Sequence, residues 1–137
     1  MALTYLLDTS VLTRTHHRAV RNAIEPLAER GELARAGVSD LEIGYSARSD
    51  VEWDELAEGL LAFELVETAA EHLKRARQVQ RLLAAKHQRG RKVPDLLIAA
   101  AAESRGLTVL HYDADFDRIA AVTGQPCEWV VPAGSVD

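Results

Sequence analysis

The chain has 137 residues, 47% hydrophobic and 27% charged, a balance that fits one globular domain, 1–137, with enough core to fold alone. A formal net charge of −5 argues against holding nucleic acid by a general positive field, though not against gripping phosphates through bound cations. The lone Cys127 excludes an internal disulfide and a thiolate metal site, and no apolar run approaches the roughly 18 residues of a membrane helix, so a soluble cytoplasmic protein without membrane contact is expected.

The first predicted element is a short buried strand through Tyr5, Leu6 and Leu7, ending at Asp8 with a helix starting near Ser10. Val20, Ile24, Leu27 and Ala28 give helical spacing over 18–30, closed by Gly31. Residues 33–38 read as a strand. Ser39-Asp40-Leu41-Glu42 then forms a capping box, opening a helix through Ile43 and Tyr45. Asp50 is placed as the cap of a further helix, with Val51, Leu56, Leu60, Leu61 and Phe63 as its apolar side. Leu65 and Val66 form a brief strand.

A second capping box, Thr68-Ala69-Ala70-Glu71, heads a long helix through Leu73, Ala76, Val79 and Leu83 to about His87, with Gly90 as its stop. After Val93-Pro94-Asp95 the run from Leu96 to Ala102 is apolar nearly all round, which marks a helix packed between neighbours and ended by Gly106. Residues 107–110 read as a buried strand, the next helix ends at Gly124, and Trp129-Val130-Val131 is the last strand. Strands alternating with helices, and no hairpin signal, imply an α/β fold with a mostly parallel sheet covered on both faces.

In such a sheet the acids fall into order. Asp8 follows one strand, Asp113 and Asp115 follow another, and Glu42 and Asp95 sit near helix starts. Each placement also has an ordinary explanation as a helix cap or a partner of the helix dipole. Carboxylates converging on one sheet edge repel, however, and such a cluster needs something positive inside it. Mg²⁺ answers that need: it takes oxygen ligands and serves phosphodiester hydrolysis.

Leu6-Leu7-Asp8-Thr9-Ser10, Glu42 within Ser39–Ile43, Pro94-Asp95-Leu96-Leu97-Ile98-Ala99-Ala100, and His111-Tyr112-Asp113-Ala114-Asp115-Phe116-Asp117 together resemble the PIN-domain ribonucleases, specifically toxins of the VapBC toxin–antitoxin class. The resemblance covers essentially the whole chain. It implies a three-layer α/β/α sandwich, a Mg²⁺ or Mn²⁺ site, endonucleolytic cleavage of RNA, a homodimer, and inhibition by a cognate VapB-type antitoxin. Asp8, Glu42, Asp95 and Asp113 match the family's acidic quartet, as catalytic residues and metal ligands, with Asp115 an additional acid and Ser10 a hydroxyl nearby. His111 stands where many relatives have threonine, and Asp117 adds one more acid.

Three other patterns fail. Asp113-x-Asp115-x-Asp117 begins like an EF-hand loop, but Arg118 takes the glycine position and Gly124 the glutamate position. An aspartyl-phosphate phosphatase would need a second aspartate where Ser10 stands. The five histidines lack zinc spacing. Two functions of different class are carried forward: a metal-dependent endoribonuclease toxin acting on transfer or ribosomal RNA, and a PIN-fold interaction protein that binds RNA or a partner without cutting. The complete set of acids favours the enzyme. Two basic segments, around Arg14 to Arg21 and around Arg89 to Lys92, are the expected phosphate contacts. In 40–63, Trp53 is expected to face outward as an interface anchor, with Leu60 and Leu61 packed into the core or the homodimer contact.

Overall fold

The computed structural model describes residues 2–88 and 92–137. Its elements in chain order are β1 (Tyr5–Leu7), α1 (Thr9–Leu12), α2 (Arg18–Glu29), β2 (Leu33–Ala36), α3 (Gly37–Tyr45), α4 (Asp50–Leu60), β3 (Glu64–Val66), α5 (Ala70–Ala85), α6 (Val93–Arg105), β4 (Thr108–His111), α7 (Asp115–Thr123) and β5 (Cys127–Trp129). The five strands form one sheet in the order β3-β2-β1-β4-β5, and all four pairings are parallel.

Because successive strand residues face opposite sides, Leu6 and Leu7 serve different cores. Leu6 packs with Ala34, Val66, Ile98, Val109 and Phe116 under α5, α6 and α7. Leu7 packs with Val11, Val20, Ile24, Leu33 and Leu110 under α1 and α2. The result is a three-layer α/β/α sandwich. Helix α6 lies between the sheet and α5, which is why Leu96, Ile98 and Ala99 through Ala102 are all buried, as its apolar circumference requires. Beneath α3 and α4, the nearly buried Arg35 side chain donates to Asp40 Oδ1 (2.8 Å) and to the carbonyls of Leu60 and Phe63, tying the helix pair to the sheet.

Several expected boundaries are displaced. Strand β2 stops at Ala36, where its pairing with Val66 ends, and α3 starts at Gly37, two residues before the expected cap. Ser39 is therefore inside the helix and fully buried, and the Ser39–Glu42 capping box does not form. Helix α4 is capped by Ser49, whose hydroxyl accepts from the Glu52 amide, rather than by Asp50. Helix α5 starts after Ala69, whose amide donates to His72 Nδ1, so His72 takes the role expected of Glu71.

At the far end of α5, the amides of His87 and Gln88 donate to the carbonyls of Ala84 and Leu83, with His87 at φ 58°. That pattern is a Schellman motif, closed by histidine in the left-handed position before the expected stop at Gly90. Gly90, Arg89 and Arg91 lie outside the described residues. The last strand is Cys127–Trp129, in register with Val109 to His111, so Val130 and Val131 fall beyond it.

Candidate active site

The order β3-β2-β1-β4-β5 places a switch point between β1 and β4: the chain winds outward in one direction through β2 and β3, then in the other through β5. Ligand crevices in open α/β sheets lie outside the carboxyl ends of strands at such a point. Asp8 immediately follows β1, and Asp113 stands two residues after β4. The helix leading into a parallel strand starts at the sheet's carboxyl edge, so Asp95 in the first turn of α6 arrives at the same place. Glu42 comes from α3, which leaves β2 at that edge.

Asp8 is 3% exposed and caps α1: its Oδ2 accepts from the Ser10 amide (3.0 Å) and hydroxyl (2.5 Å). The Ser10 hydroxyl in turn accepts from the Tyr112 amide at 2.8 Å, so one serine joins the turns after β1 and β4. Glu42 is set from across the crevice. Thr9 Oγ1 donates to Glu42 Oε1 at 2.6 Å and lies 2.9 Å from the Ser39 hydroxyl, which is why that buried serine is bound to a side chain rather than to a helix end. Asp113 Oδ1 accepts from the Asp115 amide (2.9 Å), its Oδ2 from Lys92 Nζ (3.0 Å), and its own amide donates to His111 Nδ1 (3.1 Å).

Asp8, Glu42, Asp95 and Asp113 line one depression of about 220 Å³, together with Thr9, Ser10, Arg14, Lys92 and Tyr112. Carboxylate oxygens of Asp95, Asp113 and Asp115 all lie within 4.8 Å of one another, a set to which Asp8 and Glu42 contribute no oxygen. Asp115 also accepts from Arg118 at 2.8 Å. Asp117 turns aside and accepts from Trp129 Nε1 at 3.2 Å, outside the group.

Burial and crowding set the charge states. Asp95 is pushed up to about 7, chiefly by burial and then by the neighbouring Asp8 and Asp113. Burial likewise raises Asp8, against the bonds from Ser10. Burial would raise Asp113 too, but the Asp115 amide and Lys92 outweigh it and hold this carboxyl below the usual range. One pole of the site is thus firmly ionised and the other is poised near neutrality.

The donor set suits a hard divalent cation. Every candidate ligand is a carboxylate oxygen, and Asp95 Oδ2 is buried without a hydrogen-bond partner among the described residues. A cation would satisfy that atom and remove the repulsion that raises Asp95. The hold of Thr9 on Glu42 and the presence of Tyr112 beside the acids are what sequence reading missed, whereas Arg14, expected as a phosphate contact, does line the depression. For Thr9 the signal was a hydroxyl next to Asp8. Arg14 donates to the Ser10 carbonyl in its own turn and is fixed further by two contacts of long range that no local motif announces, its guanidinium 4.9 Å from the Tyr112 ring centre and donating to the Asp137 carbonyl.

Comparison with known proteins gives concordant matches. The PIN domain family model matches residues 5–122. The chain is 65% identical over 137 residues to Ribonuclease VapC51 of Mycobacterium tuberculosis, covering 100% of both chains. It is 50% identical to Ribonuclease VapC21 of the same species, covering 98% of this chain and 99% of the relative. Among solved structures, DNA-bound VapBC from Salmonella typhimurium aligns with a TM-score of 0.77 at 21% identity, over 94% of this chain and 99% of the other. VapBC-5 of Mycobacterium tuberculosis aligns with a TM-score of 0.57 at 26% identity, over 93% and 96%.

Proposed function

Because this chain belongs to the PIN-domain family of VapC ribonucleases, we propose that it is the toxin of a toxin–antitoxin pair, an endoribonuclease that hydrolyses phosphodiester bonds in cellular RNA with Mg²⁺ or Mn²⁺ held by its acidic cluster. The observation that carries this is the convergence of Asp8, Glu42, Asp95 and Asp113 on one crevice at the switch point, with Asp95 near neutrality and one of its oxygens unpartnered. Asp95, Asp113 and Asp115 form the nearest ligand set, and Asp8 and Glu42 line the same depression beside them. The single domain spans 1–137.

A bound divalent cation supplies Lewis acidity, activating water for attack and offsetting charge that builds on the phosphate. The chain's own residues do the rest. Ser10 fixes Asp8 through two bonds, and Thr9 holds Glu42 across the crevice. Lys92 and Arg14 are the cations on the wall of the depression, placed to attract a phosphodiester whose charge the acids alone would repel. Lys92, already bonded to Asp113, can release that carboxylate when phosphate arrives.

The partner reading rests on α3 and α4. Leu12, Ile43, Leu56, Leu60 and Phe63 line a groove of about 480 Å³, and Leu41, Tyr45, Val51, Trp53 and Leu61 stand exposed around this helix pair. That exposed apolar rim fits an amphipathic antitoxin helix, with a following basic arm placing an Arg or Lys charge among the acids. Of the two leucines expected in the core or the homodimer contact, Leu60 is buried in the core, while Leu61, just past the end of α4, is 67% exposed and so is free for the homodimer contact instead. The toxin works in the cytoplasm as a homodimer.

The decisive experiment is RNA cleavage by purified, antitoxin-free protein. Cleavage should require Mg²⁺ or Mn²⁺ and fall by two orders of magnitude or more in Asp8→Asn and Asp95→Asn variants. Full cleavage by both variants would end the metal-site reading, and RNA binding without cleavage by the unaltered protein would identify a binding module instead.

A further inference from the structure

The exposed side of α5 carries a second cationic feature, separate from the crevice. Lys74, Arg77, Gln78 and Arg81 recur at i, i+3, i+4 and i+7, all exposed, and with Gln80 and Ala84 they line a broad shallow trough. Four cations stand on this helix against one acid, Glu71, in a chain of net charge −5. Arg75 shows what a structural cation does here: it faces α6 and pairs with Glu103 at 2.7 Å. Lys74, Arg77 and Arg81 make no ion pair among the described residues.

Helix electrostatics do not account for them either. Cations favour the last turn of a helix, where Arg81 is near, but Lys74 and Arg77 sit in the first half, where the dipole opposes them. The Arg75–Glu103 pair joins the start of α5 to the end of α6, so the two helices run antiparallel and the carboxyl end of α5 lies beside the start of α6, where Asp95 enters the crevice. Arg81 is therefore the end of the stripe nearer to the start of α6, and Lys74 the end farther from it. From Lys74 to Arg81 it runs about 10 Å, on which a polynucleotide can lay roughly two successive phosphates.

We propose that the Lys74–Arg77–Arg81 face of α5 is a track for the RNA backbone flanking the cleavage site, with Gln78 and Gln80 as hydrogen-bonding partners for sugar and phosphate oxygens. This rests on the ribonuclease reading and names where the uncut part of the substrate lies. Charge complementarity selects the occupant: an RNA strand supplies a regular line of anions, which the acidic crevice cannot hold alone.

The test compares Arg77→Gln/Arg81→Gln with a charge-matched control, Arg30→Ala/Arg48→Ala, whose arginines lie in the turns after α2 and α3 and pair with Glu32 and Glu52. The probe is a labelled single-stranded RNA of mixed sequence, with affinity measured against salt in metal-free buffer and cleavage kinetics measured in Mg²⁺. The α5 variant should bind about tenfold more weakly at low salt, with the slope of log affinity against log salt reduced by about 1.4, and its loss should appear in KM rather than kcat. The control should match the unaltered protein. An unchanged slope and KM in the α5 variant would overturn the track, as would a loss confined to antitoxin binding, which would mark a protein contact. Failure of the unaltered protein to cleave RNA would instead overturn the functional reading beneath it.

Discussion

Thr9 illustrates how one hydroxyl can set a site from outside the ligand list. It follows Asp8 directly, yet its bond goes to Glu42, 33 residues away, at 2.6 Å. Groups that orient metal ligands commonly matter by an order of magnitude or more in metal affinity. Thr9→Val keeps the side chain's volume and removes the donor, so the Mg²⁺ concentration giving half-maximal cleavage should rise roughly tenfold while Thr9→Ser stays near the original value. Titration of RNA cleavage with Mg²⁺ decides it; coincident curves for all three proteins would show that Glu42 does not serve the ion. Asp8 carries two roles at once, a helix cap and a wall of the crevice, so Asp8→Asn should keep the bond from the Ser10 amide and leave metal-free thermal stability unchanged or higher while cleavage is lost.

At the level of elements, the pair α3–α4 depends on a close approach that a side chain would block. A Cβ added at Gly44 would come within 2.6 Å of Trp53 Nε1, so the indole lies against the bare backbone of α3 and remains half exposed to solvent. Trp53→Ala should weaken antitoxin binding by about 2 kcal/mol or more without affecting RNA cleavage. Gly44→Ala should weaken it as well, by pushing the indole from its seat. Calorimetric titration with the antitoxin measures both, and undiminished affinity in a folded Trp53→Ala variant would move the interface elsewhere.

The same elements show what the sequence made legible. Periodicity and glycine stops placed α2, α6 and α7 closely, because these helices bury one stripe or the whole circumference and that pattern is local. The strand before Asp8 and the acids after β4 were legible for the same reason. The Ser39–Glu42 capping box was not, since the pattern is satisfied by any serine and glutamate three apart; here Ser39 was recruited by Thr9 from another element and the helix began earlier. Leu61 and Leu73 match apolar spacing yet are exposed, because spacing cannot tell a core face from a face kept for a partner.

For the whole molecule, the parallel sheet gathers like charges at one edge, and this should be visible in its stability. Asp95 is raised to about 7, mainly by burial and then by Asp8 and Asp113, whereas in the unfolded chain its carboxyl titrates near 3.8. The native state therefore keeps a proton that the unfolded state has released, and between those values stability falls as pH rises, with the loss complete above about 7. The buried His111, whose pKa is lowered chiefly by burial, acts oppositely, but only below the ordinary histidine value of 6.5. Asp113, being lowered, contributes its change at more acidic pH. The clean window is pH 6.5 to 8, where metal-free protein should lose on the order of 1 kcal/mol, a few degrees in Tm.

Mg²⁺ should reverse this. It binds the ionised acids, so its stabilisation should be larger at pH 8, where no proton competes, than at pH 6.5. Asp95→Asn should flatten the metal-free slope and remove most of the response to Mg²⁺. Thermal unfolding of the two proteins at both pH values, with and without Mg²⁺, tests the linkage; a Tm for the unaltered protein that is level or rising from pH 6.5 to 8 and indifferent to Mg²⁺ would show that these carboxylates serve only as caps.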